Sequence, residues 1–366
     1  MIGLVALIIV LAVYAIVITS LWRKAIDTKN TPHNTAKPEP HNSTVSRVYS
    51  DDEYKIKADE ARQLTNTFQK FVPKQFVEHF SKHGTNEFAL GTADEDNVAI
   101  LFCDIRGFTG LSEKMKPQEL MNFLNSYFLR MNAPIHTNHG FIDKFIGDAI
   151  MALFDRPDGS DSDKARDAIV AALGLRQSLA LYNQHRAKSG YEAIDIGIGI
   201  HFGPVILGTV GSDDRMDTTV IGDSVNIAQR LETLAPKYKV DIVVSRALID
   251  TLNQNKAKHL APELNFRVID WVRVKGRSEP IELIEVLSHL NEEEQSFRKD
   301  NEATIKELIK TRKEHDFERG IALISNLEAI ADQQQNSDPI IAHHLSAFQE
   351  LKSRAPNRAW DGALDL

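Results

Sequence analysis

At 366 residues the chain has room for one large domain or two ordinary ones, with an ample core. Apolar residues at 42% and charged residues at 26% are those of a globular protein, and a net charge of −8 argues against a nucleic-acid-binding surface. A single cysteine, Cys103, excludes an intrachain disulfide and fits a reducing compartment.

Residues 2–22, IGLVALIIVLAVYAIVITSLW, carry no charge and match the thickness of a bilayer core. Trp22 stands where an interfacial aromatic would, and Arg23 and Lys24 follow at once. A cleaved signal peptide would want a basic leader, a shorter apolar core and a small-x-small site after it. Met1 leads straight into the apolar run and no such site follows Trp22. The expectation is an uncleaved, single-pass anchor over residues 1–24 in the cell inner membrane. Its positive flank places the rest of the chain in the cytoplasm.

Residues 25–60 read as a polar linker, with Pro32, Pro38 and Pro40 and almost no apolar periodicity before a charged run from Asp51. Over residues 61–90, Phe68, Phe71, Val72, Phe76, Val77 and Phe80 form an amphipathic helical pattern interrupted at Pro73. That much aromatic surface needs a partner, either the flank of the next domain or the same helix of a second copy.

Val98 to Cys103 is a short apolar run ending in Asp104, the pattern of a strand buried on both faces. After the loop Ile105-Arg106-Gly107-Phe108-Thr109-Gly110, Pro117 opens a helix. Leu120, Phe123, Leu124, Tyr127, Phe128, Met131 and Ile135 mark its buried face. Strands follow over 141–145 and 149–154, joined by a tight turn that carries Asp148. Two carboxylates at neighbouring strand ends, beside a loop rich in glycine and hydroxyls, suit a hard divalent cation such as magnesium. Taken singly, each could equally be a solvated strand end or a turn residue.

A second helix is expected over 161–184, with Ala165, Ala168, Ile169, Ala172, Leu173 and Leu179 on one face. Ile194, Ile196, Ile198, Ile200 and Phe202 then alternate strictly, the sign of a strand with one buried face. The order strand, helix, strand, strand, helix, strand is a ferredoxin-like βαββαβ unit, so the fold class is α+β. Gly203-Pro204 reads as a turn or bulge before a strand over 205–210, and Asp223 as the N-cap of a helix. Late strands over 240–244, 266–275 and 281–287 close a domain spanning 91–290. Residues 291–366 read as a helical extension with helices near 292–313, 315–333 and 338–353, and Trp360 pinning the tail. The thirteen histidines form no HExxH and no Cys/His set, and His136, His139, His343 and His344 read as surface or packing residues.

The motifs Phe102-x-Asp104-Ile105-x-Gly107-Phe108-Thr109 and Lys144-x-x-Gly147-Asp148 resemble the metal-site motifs of the class III nucleotidyl cyclases. The resemblance covers about residues 64–290 and implies two divalent ions, Mg²⁺ or Mn²⁺, held by Asp104, Asp148 and the carbonyl of Ile105. Loop amides near Phe108 and Thr109 would take phosphate oxygens. Asn226 and Arg230 lie four apart on one helix face. The resemblance assigns them to the ribose and to charge growing on the α-phosphate. It assigns Lys144 and Thr219 to the purine, and this pair resembles the adenylyl type. A lysine and a hydroxyl can donate to adenine's ring acceptor and accept from its amino group, whereas guanine's N–H donors call for a glutamate. Lys275 resembles the triphosphate lysine, and spacing alone does not choose between it and Arg277.

The implied function is an adenylate cyclase making cyclic AMP and pyrophosphate from ATP at a homodimer interface, for intracellular signalling. The alternatives are a guanylate cyclase or an inert cyclase-like module that dimerises or binds nucleotide. A GGDEF-type enzyme is disfavoured because Phe-Ile-Gly-Asp-Ala stands in the turn. The extension resembles a single tetratricopeptide-like hairpin, but the period is not repeated and a plain helical cap serves equally.

Overall fold

The computed structural model describes residues 51–68, 93–212, 214–254, 264–354, 356–357 and 359–366. The expected membrane anchor, most of the polar linker and the aromatic stretch after Phe68 lie outside the described residues. Among the described residues no helix is long and apolar enough to cross a membrane. The chain divides into two compact units, Met1–Arg62 and Gln63–Leu366, and the sheet belongs to the second.

Helix α1 (Asp51–Phe68) corrects the linker boundary at 60, since its last ten expected residues are helical. No glycine or proline occurs between Asp51 and Phe68, and Lys, Glu, Ala, Arg, Gln and Leu dominate. Those side chains lose little freedom in a helix, so local propensity outweighs polarity.

The second unit is built on a nine-stranded sheet in the order β2-β3-β1-β4-β6-β8-β7-β9, with β5 paired to β4. Its first half is β1 (Ala93–Ile105), α2 (Phe108–Ser112), α3 (Pro117–Thr137), β2 (Gly140–Ile146), β3 (Ala149–Phe154), α4 (Asp161–Lys188) and β4 (Ile196–Ser212). This is the expected ferredoxin-like βαββαβ unit, and β1 pairs antiparallel with both β3 and β4. Helix α4 begins at a reciprocal capping box between Ser160 and Asp163, which satisfies two otherwise orphaned N–H donors. Phe123, Tyr127, Met131 and Ile135 of α3 are buried in one core cluster with Ala165, Ile169 and Leu179 of α4.

Strand β4 departs from its sequence pattern in two ways. Gly203-Pro204 makes no turn, and the strand runs unbroken through both residues. Proline is tolerated there because β6 pairs β4 only up to Ile200 and β5 only from Ile206, so no neighbour on that edge needs its missing N–H. The alternating positions are also buried on both faces rather than one, Gly197 and Gly199 included. Helix α5 (Asp223–Tyr238) covers the second face. A Cβ added at Gly199 would lie 2.1 Å from the Glu232 amide nitrogen and 2.5 Å from the Ala228 carbonyl oxygen. Only a residue without a side chain lets backbone approach backbone so closely. Gly199→Ala is therefore expected to cost about 1–3 kcal/mol or more, as overpacking does. A lowered urea midpoint at unchanged slope would show it, and a wild-type midpoint would contradict the packing.

The cap of α5 is Gly222 rather than Asp223, which occupies the first helical position. Its carboxylate there still favours the positive helix end. The hairpin partner β5 (Arg215–Ile221), strand β6 (Ile242–Ser245), helix α6 (Arg246–Asn253), β7 (Phe266–Arg273) and β8 (Ile281–Val286) complete the domain.

The expected first helix of the extension is split at Asn301 into α7 (Glu292–Asp300) and α8 (Glu302–Lys313). Helices α9 (Phe317–Gln333) and α10 (Ile340–Ser353) follow. The extension is tied to the sheet by buried ion pairs. Arg267 donates to Glu285 at 2.6 Å and to Asp338 at 2.8 Å, and Arg312 pairs with Asp270. Breaking such a pair leaves an unpaired buried charge, so the contact is specific rather than a loose cap. His344 is a core residue here: its Nε2 lies 2.9 Å from the Ile269 carbonyl, and burial pushes its pKa down to about 4. The tail adds β9 (Leu364–Asp365) parallel to β7, with Trp360 Nε1 donating to the Ala363 carbonyl at 2.8 Å.

Candidate active site

The site starts where β1 leaves the core. Val98 to Cys103 are buried, and Asp104 is the first residue of the strand's end to reach partial exposure. On the next strand pair, Ile146 faces Ala149, which leaves a two-residue turn of Gly147 and Asp148. Gly147 has φ of +65°, a left-handed conformation that suits a residue without a side chain. Because Cys103 pairs with Ile150, the turn sits beside the end of β1. The Ile105 N–H accordingly donates to both carboxylates, Asp104 Oδ1 at 3.0 Å and Asp148 Oδ2 at 3.3 Å.

These groups crowd like charges. Burial, then the hydrogen-bonded and charged Asp104 carboxyl, pushes the Asp148 pKa up to about 7. Glu232, on α5, is raised to about 8 by burial and then by Asp104 and Asp148. An acidic pair without an ion-paired cation among the described residues is what a divalent cation relieves, so the residues fit the implied metals. Among the described residues no cluster of three or more His, Cys, Asp or Glu could cage an ion. A bound ion would complete its shell with water and substrate oxygens, the usual arrangement for Mg²⁺.

The loop after Asp104 is held from behind. The Arg106 guanidinium pairs with Asp195 at 2.9 Å and Asp241 at 3.3 Å, and also donates to the Val240 carbonyl. Arg176 bridges the same carboxylates at 2.6 and 2.8 Å, and His289 Nε2 lies 2.9 Å from Asp241. Burial raises the Asp241 carboxyl, but His289, Arg176 and Arg106 outweigh it and hold the pKa below the usual range. Arg106 is thus committed to structure. Gly107, at φ +67°, then turns the chain into α2. Phe108 packs against the core while Thr109 is exposed, and the first-turn amides of so short a helix have no intrahelical acceptor.

The purine pair expected from sequence is also brought together. Lys144 Nζ, on β2, lies 3.4 Å from Thr219 Oγ1, on β5, and 3.3 Å from Asp143. Asp143, Lys144, Arg215, Asp217, Thr218 and Thr219 line one cavity. Burial raises the pKa of Asp143, whose proximity to Lys144 only partly offsets it. Asn226 is exposed on α5, and Arg230 is half-buried, its Nη1 without a hydrogen-bond partner among the described residues. A Cβ on Gly276, at φ +84°, would come 3.4 Å from Arg230 Nη2, so the loop carrying Lys275 abuts this arginine. Lys275 is exposed without an ion pair among the described residues, whereas Arg277 lies 3.5 Å from Asp223.

Two groupings result, Asp104–Ile105–Asp148 and Lys144–Thr219, with Asn226, Arg230 and Lys275 on and beside α5. No ion pair or hydrogen bond joins the carboxylate pair to Arg230, Asn226 or Lys275 among the described residues. Sequence reading missed Glu232, Asp143 and the Arg106 cluster. No local motif marks them, since each matters only through neighbours distant in the chain.

A ferredoxin-like sheet with paired carboxylates at the end of β1 and a polar helix face on α5 defines a nucleotidyl cyclase type of domain. Residues 91–298 match the family described as Adenylate and Guanylate cyclase catalytic domain, and the chain belongs to that family. It is 40% identical over 237 residues to "Adenylate cyclase" of Anabaena cylindrica, covering 63% of this chain and 45% of that protein. It is 30% identical over 227 residues to "Adenylate cyclase 1" of Rhizobium meliloti (strain 1021), covering 62% of this chain and 32% of that protein. The chain thus spans less than half the length of these relatives. A solved bacterial light-regulated adenylyl cyclase superposes with a TM-score of 0.55 at 25% identity, covering 68% of each chain.

Proposed function

We propose that this chain is an adenylate cyclase that converts ATP to 3′,5′-cyclic AMP and pyrophosphate at the interface of a homodimer. The observation that carries the choice of substrate is the pairing of Lys144 with Thr219. Together they offer donor and acceptor atoms in the pattern adenine requires. The names of the similar proteins support the same reading.

Asp104, Asp148 and the Ile105 carbonyl would hold two divalent ions, Mg²⁺ or Mn²⁺. When bound, such ions lower the pKa of the attacking hydroxyl and offset charge on the phosphates. The 3′-oxygen of ATP forms a bond to the α-phosphorus as the bond to the β-phosphate oxygen breaks. Pyrophosphate leaves, and the hydroxyl proton passes to solvent. Asn226 orients the ribose, and Arg230, which forms no ion pair among the described residues, stabilises the charge growing on the α-phosphate. Lys275 and the amides at Phe108 and Thr109 take the remaining phosphate oxygens. No side chain is assigned as general base.

The homodimer is supported by an apolar surface that a single copy leaves open. Phe145 and Ile146 at the β2–β3 hairpin, and Ile206, Val210, Met216 and Ile221 on the β4–β5 ribbon, are each 45–51% exposed. A closed two-fold contact would cover this surface and bring the carboxylates of one copy to Arg230 of the other. Residues 1–24 anchor the protein in the inner membrane with the catalytic part cytoplasmic. Deleting them should move the protein to the soluble fraction, and its recovery in the membrane pellet would overturn the anchor. Helices α8 to α10 pack as successive pairs, which supports the tetratricopeptide-like reading of the extension.

Incubating the chain with ATP or GTP and Mg²⁺ or Mn²⁺, and identifying the product, tests the reaction. Cyclic GMP as the main product would establish a guanylate cyclase, and no product from either nucleotide an inert module. Lys144→Glu with Thr219→Cys reverses the pattern offered to the base, so the ATP preference in kcat/KM should collapse. One lost hydrogen-bond partner to the base is worth about tenfold or more in discrimination. An unchanged ATP:GTP ratio would refute the pairing.

A further inference from the structure

On the helical side of the sheet, a groove of about 520 Å³ lies between the start of α3 and the end of α4. Its lining includes none of the residues assigned to the cyclase reaction. Lys116, Arg130 and Arg186 contribute cations, with His185 beside them, and Glu119 is the one carboxylate. None of the three cations forms an ion pair among the described residues. In a chain of net charge −8, such a concentration of unpaired cations is not the average surface.

Arg186 is the central group. It is only 7% exposed, yet its guanidinium makes a single hydrogen bond, from Nε to the Glu192 carbonyl at 2.8 Å. Among the described residues its two terminal amino groups have no acceptor, and the residue lines the groove. Arg130 uses Nη1 to reach the Ser126 carbonyl and hydroxyl, each at 2.8 Å, which leaves its other nitrogens free. Lys116 precedes the first turn of α3, where no side chain caps the helix. The amides there add to the positive field.

The walls are aromatic. Arg186 lies over the rings of Phe123 at 5.0 Å, Tyr191 at 5.5 Å and Tyr182 at 5.7 Å, and Arg130 over Tyr182 at 4.8 Å. Tyr191 is 52% exposed. A guanidinium placed over aromatic rings keeps its N–H donors for an anion, and its fork geometry matches phosphate and carboxylate. The volume exceeds that of a small inorganic ion and falls within the range of small-molecule pockets.

We propose that this groove binds a small organic anion in which a phosphate or carboxylate group is joined to a planar ring. The head group meets Arg186, Arg130 and Lys116, and the ring lies against Tyr191 and Tyr182. The site is independent of the cyclase assignment.

Calorimetric titration of the full chain in detergent with phenyl phosphate, benzoate and inorganic phosphate tests it. Saturable binding of phenyl phosphate or benzoate is expected, and the tighter of the two identifies the head group. Lys116→Gln and Arg130→Gln should each weaken that binding about tenfold or more, the worth of one charged hydrogen bond. Neither residue is part of the cyclase machinery, so turnover of ATP without added ligand should be unchanged. The proposal is overturned if neither aromatic anion binds, or if both variants bind as the wild type does. Inorganic phosphate binding as tightly as phenyl phosphate would overturn recognition of the ring.

Discussion

Asp104→Ala or Asp148→Ala should leave a folded protein that makes no measurable cyclic AMP. Each substitution removes one of two anionic ligands and breaks no core contact, since both residues are only partly buried at the end of β1 and in the β2–β3 turn. Metal stabilisation of the transition state is worth several kcal/mol, which corresponds to about three orders of magnitude in rate. Stability should move the other way. The folded-state pKa of Asp148 is raised to about 7, so its charged form is disfavoured in the folded, metal-free protein. That penalty is absent at pH well below 4 and grows as pH rises through 7, because the unfolded chain then holds fewer protons than the folded one. Asp148→Ala removes it. The metal-free variant should therefore melt no lower than wild type at pH 8. Near wild-type turnover with Mn²⁺ in either variant would show that the carboxylates do not hold the metals.

Mixing two dead variants should restore activity. Asp104→Ala lacks a metal ligand, and Arg230→Ala lacks the group facing the α-phosphate. Truncating Arg230 strands no partner, because its Nη1 has none and no carboxylate pairs with it among the described residues. Each variant alone should be inactive. If one copy supplies the carboxylates and the other supplies α5, a mixed dimer carries one site with both defects and one with neither. Half of randomly paired dimers are mixed, so about a quarter of wild-type activity should return. Subunit exchange is confirmed separately with differently tagged copies. A mixture as inactive as its components, with exchange shown, would place a complete site within one chain.

Both outcomes depend on features of different legibility. Asp104 and Asp148 could be singled out because each closes a local pattern, a six-residue apolar run and a tight turn between strands. The pairing of Lys144 with Thr219 is different. The two are 75 residues apart, and only the resemblance to a family connected them before the sheet did. For β4 the alternation of isoleucines correctly implied a strand but understated its burial. A period of two reports which residues share a face, and it says nothing about what covers the other face. The cover is α5, admitted by Gly197 and Gly199, and the same contact carries Glu232 toward the acidic pair.

By itself, then, the sequence determined the βαββαβ order of the sheet's first half, the turn at Gly147 and the positions of the acidic residues at strand ends, but not β5 or α6. Those are consequences of short-range periodicity and of residues that only certain backbone conformations accept. The tertiary structure alone decided which charges are buried and which are paired. Arg106 is spent on Asp195 and Asp241, Arg312 on Asp270, and Arg267 on Glu285 and Asp338, while Arg230 and Arg186 keep free donors. A guanidinium reads the same in every sequence context. Whether it braces the fold or waits for a ligand is set by which distant carboxylate the fold brings within a few ångströms, because Coulomb attraction and desolvation act through space rather than along the chain.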